Sequence, residues 1–309
     1  MAEAYSLSFH TIGADNNAMT ELETGYPTQK IIMIVSIPIC TLGLLGNAII
    51  FCLLCCTIKK TNFTVYFLNL VVADFTVLIY YVIVFILFLK AVPISLYYLH
   101  IMELAHAFGF NAKTYVLTVI TAERYIMVFF PGWYQQHRPK HFSEIMCAIL
   151  WVLSGLLAIV LYYACYLQTD PSLKEANQHC EPTKMVRVII NLLVFLPIMI
   201  FSTFLLFTRM LTISQEAPLA RLDITIVATV LLFLLFAASV RIIEIIARWV
   251  PKIHIPIVFL IFHFLDAIDS SGNPYVYLIV GYSKAKIDSE KPFQTLLERA
   301  LLDDGTTEG

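Results

Sequence analysis

The sequence predicts an all-α membrane protein: a seven-transmembrane helix bundle with a short amphipathic C-terminal helix. Three observations predict it. Of 309 residues, 59% are hydrophobic and only 14% charged, against roughly 45–50% and 25% in soluble domains. Mean hydropathy is +0.79, more apolar surface than a soluble globule can hide. Charge-poor runs long enough to cross a bilayer recur along the chain without strand-like alternation, which argues against a barrel. A net charge of -2 and a pI of about 6.4 argue against nucleic-acid binding.

The elements follow in order. Residues 1–30 are polar and mostly acidic, with Glu3, Asp15, Glu21 and Glu23 against Lys30 alone. They read as an extracellular tail with no basic n-region for a cleavable signal. A crossing takes about 20 residues at the helical rise. The first crossing, within residues 31–58, carries no charge, and the second, within 61–89, carries only Asp74. The third, within 97–130, carries Glu103, Lys113, Glu123 and Arg124. The fourth (145–169) and fifth (188–208) are uncharged. The sixth (222–250) carries Asp223, Arg241, Glu244 and Arg248, and the seventh (253–283) carries Asp266 and Asp269. Residues 31–283 therefore form the membrane domain.

Residues 284–309 form a cytoplasmic end, in which Phe293, Leu296, Leu297, Ala300 and Leu301 recur at helical spacing. That helix is expected to lie on the inner leaflet. With the N-terminus outside, eleven Lys and Arg flank the inner ends of the spans and seven the outer ends, a mild positive-inside bias. Seven cysteines are too few for a disulfide scaffold. The one CxxC spacing, Cys52 to Cys55, falls inside the first apolar crossing and no HExxH appears, so neither a metal site nor a cofactor is expected.

Six motifs, in chain order, resemble those of rhodopsin-like (class A) G-protein-coupled receptors. They are Gly46-Asn47, the Leu-Val-Val-Ala-Asp run ending at Asp74, Glu123-Arg124-Tyr125, Trp151, Pro197, and the Asn-Pro-Tyr-Val-Tyr run from Asn273 to Tyr277. Finer matches are similar to the Mas-related branch: Phe63 to Tyr66, Phe108 to Asn111, Trp133 to Lys140, and Gly281. The resemblance implies a plasma-membrane receptor, not an enzyme, that passes an extracellular peptide or small polar ligand's signal to a heterotrimeric G protein. It implies a switch made of Glu123, Arg124, Tyr125, Asn273, Pro274 and Tyr277, with Glu123 holding Arg124. It also implies a bridge between Cys165 and Cys180, on the oxidising outer side. A bridge closing a loop that short is worth about 3 kcal/mol in the chain-entropy model.

Departures from the family carry expectations of their own. Ser239 stands where the family usually has Pro, which removes the usual cause of a kink in the sixth segment. Leu219 stands where an acidic residue usually restrains the arginine, so ligand-free activity is expected. Leu161 and Thr183 replace an acidic pair of some Mas-related receptors, which puts a preference for cationic ligands in doubt.

Helical periodicity adds a reading of its own. Glu103, His106, Phe110, Lys113, Leu117, Ile120 and Arg124 are spaced by threes and fours, so they share one face of the third segment. Charges facing lipid are costly, so that face points inward. His263, Asp266, Asp269, Asn273 and Tyr277 form a matching stripe on the seventh. Asp74, Lys113 and Asp269 reach a similar depth, about 16–22 Å above the inner ends at the helical rise. Most rhodopsin-like receptors have a sodium pocket at this level, which the Lys113 ammonium would replace. Burying it without partners would cost several kcal/mol, so it is expected to pair with both carboxylates, beside Asn273.

Glu103, His106, Arg241, Glu244, His263 and Asp266 gather toward the outer half and are the ligand-binding candidates. Their mixed charge suits a zwitterion or peptide. Two competing classes remain at this stage. A transporter or proton pathway could use Asp74, Lys113 and Asp269. An intramembrane enzyme could use Glu103 with His106, or His263 with Asp266, but no nucleophile accompanies them.

Overall fold

A computed structural model describes residues 16–90, 95–165, 176–213, 220–242, 255–282 and 292–302. Helix α1 is Asn16–Cys56, α2 Asn62–Leu89 and α3 Leu96–Phe129. A one-helix loop, α4 (Pro131–His137), leads to α5 (Phe142–Cys165). The fifth crossing is continuous through α6 (Ala176–Ile190), a π-turn (Asn191–Phe195) and α7 (Leu196–Ile213). The sixth is α8 (Arg221–Phe233) and a second π-turn (Leu234–Ala238). Helix α9 (Ile255–Tyr282) is the seventh, and α10 (Pro292–Leu301) ends the described chain. The first helix starts inside the stretch read as a tail; its apolar part begins at Lys30. Glu244, Arg248 and Leu219 lie outside the described residues.

Local chemistry sets the helix ends. At the start of α2, the Thr64 amide donates to Thr61 Oγ1 at 3.2 Å and the Thr61 amide to Thr64 Oγ1 at 2.7 Å, a reciprocal cap that satisfies two end donors. Pro131 stops α3 and opens α4, because its fixed φ suits a first helical position and it offers no N–H to continue the previous helix. Asp223 sits in the first turn of α8, where a carboxylate is favoured by the helix dipole.

Apolar side chains point both ways from these helices. Tyr66, Phe67, Tyr81, Tyr115 and Tyr277 are fully buried in one core, while Ile34, Leu45, Val152, Phe204 and Ile279 are exposed. An outer surface of that kind is wetted by lipid rather than water. Five of the described helical segments are long and apolar enough to cross a membrane by length and composition. The third and seventh crossings are the ones that carry the polar stripes.

Two features add to what the sequence predicts. The sixth crossing lacks the family's Pro, but the π-turn at Leu234–Ala238 ends one residue before Ser239, where that Pro would stand. A π-turn is itself a recognised cause of a helix kink, so the missing Pro does not leave a plain α-helix. The C-terminal helix packs its apolar side against the bundle. Leu296, Leu297, Ala300 and Leu301 are buried, and Thr225 Oγ1 of α8 donates to the Ala300 carbonyl at 2.9 Å. Gly281 meets α10 so closely that a Cβ there would come within 2.0 Å of the Leu296 carbonyl oxygen. Gly281 lies one turn beyond the buried Tyr277, on the inward side of α9. Helix α10 therefore seats against the inward faces of α8 and α9.

Candidate functional site: three stations on one helix

The predicted face of α3 is buried, with His106, Phe110, Lys113, Leu117, Ile120 and Arg124 each at most 8% exposed; the middle of the helix, residues 109–118, is buried on every side. Each of its three polar stations engages other helices.

At the outer station, the Tyr81 hydroxyl of α2 is the hub. It donates to Asp266 Oδ2 at 3.0 Å and lies 2.8 Å from His106 Nε2 and 3.3 Å from His263 Nδ1. Arg241 donates to the same Asp266 oxygen at 2.6 Å, and its guanidinium lies 4.3 Å from the Phe110 ring centre. Four of the six expected residues thus come together. Glu103 is half-buried on the adjacent turn, and Glu244 lies outside the described residues. Tyr81 carried no sequence signal, being one aromatic in an apolar run.

His106, His263 and Asp266 bring one ligand atom each to within 4.8 Å of one another, so they could hold a metal ion. His263 and Asp266 lie three residues apart on α9, but no spacing rule adds His106, which comes from α3. Here the Tyr81 hydroxyl already joins all three and Arg241 occupies Asp266, which makes a hydrogen-bonded hub.

Beside this hub, a cavity of about 60 Å³ opens between α3, the fifth crossing and the sixth. His106, Asn111, Arg187, Asn191, Phe233 and Arg241 line it. The π-turn after Ile190 holds Asn191, whose amide donates to Asn111 Oδ1 at 3.0 Å. π-turns occur often at functional sites, because the extra residue redirects a side chain.

At the middle station, Lys113 Nζ is 2.7 Å from Asp74 Oδ1 and 2.5 Å from Asp269 Oδ2, and it donates to Ser270 Oγ at 3.2 Å. Asn273 donates to the other Asp74 oxygen at 2.6 Å. All are at most 2% exposed, so the pairs are undiluted by water and each helix is fixed to the next.

The inner station differs from expectation. Glu123 does not hold Arg124. It accepts from Tyr66 at 2.5 Å, Tyr134 at 2.6 Å and Arg138 Nε at 2.7 Å, binding α3 to α2 and to the loop helix α4. Burial first, then the Glu123 carboxylate beside it, raises the Tyr134 phenol well above its ordinary range, so it stays a donor. Arg124 Nε instead pairs with Asp223 Oδ1 at 2.5 Å, and its guanidinium lies 5.5 Å from the Phe63 ring centre. Asp223 comes four residues after Leu219 in the sequence. A carboxylate that can restrain Arg124 is therefore present at Asp223.

Tyr125 packs against Phe129 and Phe201 rather than inward. Tyr277 is fully buried, its ring edge-on to Phe67 with centres 5.4 Å apart. Pro274 lies inside α9, where a Cβ on Gly46 would meet it at 3.1 Å. Cys165 is disulfide-bonded, while Cys40, Cys52, Cys55, Cys56 and Cys147 are free; the Cys180 side chain lies outside the described residues.

The family described as "7 transmembrane receptor (rhodopsin family)" matches residues 46–277. The chain is 31% identical over 294 residues to "Proto-oncogene Mas" of Rattus norvegicus, covering 92% of this chain and 87% of that one. It is 32% identical over 286 residues to "Mas-related G-protein coupled receptor member B2" of Mus musculus, covering 89% and 82%. It is 31% identical over 289 residues to "Mas-related G-protein coupled receptor member X1" of Homo sapiens, covering 92% and 87%. The chain belongs to the seven-transmembrane receptors of the rhodopsin family. Within that family it is a G-protein-coupled receptor of the Mas-related type: a multi-pass membrane protein that answers an extracellular ligand, and not an enzyme. Nothing among these relatives supports the transporter reading.

Proposed function

We propose that this receptor takes its ligand in the outer cavity and relays binding along α3 to the Arg124–Asp223 pair at the cytoplasmic end. The observation that carries this is the α3 face itself: His106, Lys113 and Arg124 share it, and each is tied to a different helix set. A ligand that shifts α3 against its neighbours changes all three stations, since packed interfaces have discrete arrangements. Release of Arg124 from Asp223 would free a guanidinium to meet a G-protein α subunit. The Lys113 ammonium serves as a tethered cation in place of sodium. The acidic tail stands outside the plasma membrane, α10 and the residues after it lie inside, and Cys180 is the partner of Cys165.

The test is a screen of peptides and small polar molecules on cells carrying G-protein activation sensors, with an N-terminal epitope stained on intact cells. The expected result is surface staining without permeabilisation and an agonist response that a bulky residue in the cavity, Ala238→Phe, abolishes. Staining only after permeabilisation, or an agonist response indifferent to Ala238→Phe, would refute the reading.

A further inference from the structure

Two neighbouring amides in the cavity wall are only half satisfied. Asn111 of α3 and Asn191 of the π-turn both line the cavity. One bond joins them, from Asn191 Nδ2 to Asn111 Oδ1 at 3.0 Å. Among the described residues, Asn111 Nδ2 and Asn191 Oδ1 have no hydrogen-bond partner, and both atoms are buried. Asn111 as a whole is 1% exposed. A side-chain amide can be turned end for end. Turning both swaps which residue offers which group and leaves the same remainder, one N–H donor and one C=O acceptor.

The other polar groups of the wall are engaged. His106 Nε2 meets the Tyr81 hydroxyl, the Thr114 hydroxyl donates to the Phe110 carbonyl at 2.9 Å, and Arg241 donates to Asp266. Arg187 is not free either. The rest of the wall includes Phe110, Leu196 and Phe233. The unmet demand is therefore a neutral donor and a neutral acceptor in an apolar setting. Leaving either of them unmatched in a buried place is costly.

Each class of ligand meets this demand differently. A carboxylate, an ester or a ketone brings acceptors only. An ammonium brings donors only, with a charge that two amides cannot neutralise. A hydroxyl brings both on one atom, so it serves both amides only where both reach that atom. A primary carboxamide brings C=O and N–H on separate atoms of one planar group, the pattern of the wall's own amides. Size points the same way. At about 10–15 Å³ per water, a cavity of about 60 Å³ takes a head group of a few heavy atoms and not a whole peptide.

We propose that the ligand carries a primary carboxamide that completes the Asn111–Asn191 pair, its oxygen accepting from one amide and its N–H donating to the other, while its apolar body lies against Phe110 and Phe233. This rests on the cavity being the ligand site, as argued above. It gives the ligand a neutral head in place of the zwitterion suggested by the mixed charge of the wider cluster, because Arg241 and Asp266 are already bonded to each other. The carboxamide comes either from a small apolar amide or from the amidated C-terminus of a peptide; the chemistry at the two Asn residues is the same.

The test uses the full-length receptor, with G-protein activation in cells and thermal stabilisation of the purified protein as readouts. The probes are aryl-alkyl primary amides and the methyl ketone, carboxylic acid, alcohol and amine of the same skeleton. The ketone matches the amide in size and lacks only its N–H donor. A second arm compares short acetylated apolar peptides ending in a primary amide, a methyl ester or a free acid. Amides in at least one arm are expected to act and to stabilise about tenfold or more better than the other head groups. Which arm responds identifies the source.

Asn191→Leu should erase the preference for amide over ketone, leaving the ketone response as it was. Asn191→Gln should restore part of it. Equal potency of amide and ketone in wild type, a preference for acid, alcohol or amine, or no response in either arm overturns the carboxamide; the wild-type comparison needs no variant to fold. An amide preference that survives Asn191→Leu overturns it too. If amides act but Ala238→Phe, expressed at the surface, leaves their potency intact, the cavity reading fails as well. If an acid or amine acts and Ala238→Phe blocks it, the cavity stands and only the carboxamide falls.

Discussion

Asp223 is one of the groups that hold Arg124. The pair is largely buried, with side chains 4% and 13% exposed, and hydrogen bonds to charged groups in such settings contribute about 1.5–3 kcal/mol. That is enough to shift a two-state equilibrium about tenfold or more. Asp223→Asn keeps the shape and removes the charge. Ligand-free second-messenger output should be near that of mock-transfected cells in wild type and several-fold higher in Asp223→Asn at equal surface expression. A wild type already strongly active, unmoved by the substitution, would contradict a lock at this position. The sequence displayed Asp223 as a charge in the sixth segment. Its partnership was hidden, because the register between α3 and α8 is set by packing across 99 residues of chain. The partners of Tyr66 and Tyr81 were hidden for another reason: other hydroxyls stand close by in the sequence, Thr64 and Tyr80, and only the fold reveals which polar groups each one meets.

Helix contacts set a second group of expectations. Helix α1 approaches α9 through small residues, the usual way for membrane helices to pack closely. A Cβ on Gly43 would lie 2.3 Å from Ser271 Oγ and 2.8 Å from its Cα. Backbone cannot swing aside as a side-chain tip does, so Gly43→Val should cost about 1–3 kcal/mol, read as a lower melting temperature of the purified receptor and reduced surface expression. At the other end, α10 covers inward-facing surface of α8 and α9, next to the Arg124–Asp223 pair. Unseating it with Leu297→Glu, or with Gly281→Val, should raise G-protein activation if that surface is needed by the transducer. Equal activation by wild type and both variants, at matched expression, would show that α10 leaves the docking surface open. The sequence made α10 legible as an amphipathic helix through its period, and the bundle-facing stripe of α3 likewise. It could not say what the apolar side of α10 covers, since lipid and protein demand the same residues. The π-turns were equally silent, because an inserted residue changes no composition.

At the scale of the whole bundle, one ammonium joins three helices. Lys113 of α3 reaches Asp74 of α2 and Asp269 of α9, and Asn273 closes the ring by donating to Asp74. Depth counting from the inner ends was sufficient to bring these groups to one level, since the helical rise is constant; it could not add Ser270, a neutral residue between charges. Removing one partner of a buried ion pair costs about 3–5 kcal/mol, because the remaining charges lose their compensation. Lys113→Ser would leave two carboxylates facing each other across a gap that a small cation fits. The wild-type melting temperature should be the same in sodium and in choline buffers of equal ionic strength. Lys113→Ser should be destabilised in choline and regain stability in sodium, reaching a higher melting temperature as sodium rises. A wild type that sodium already stabilises specifically would mean the ammonium does not occupy the ion's place. A Lys113→Ser variant as stable as wild type in choline would mean the three helices do not depend on it.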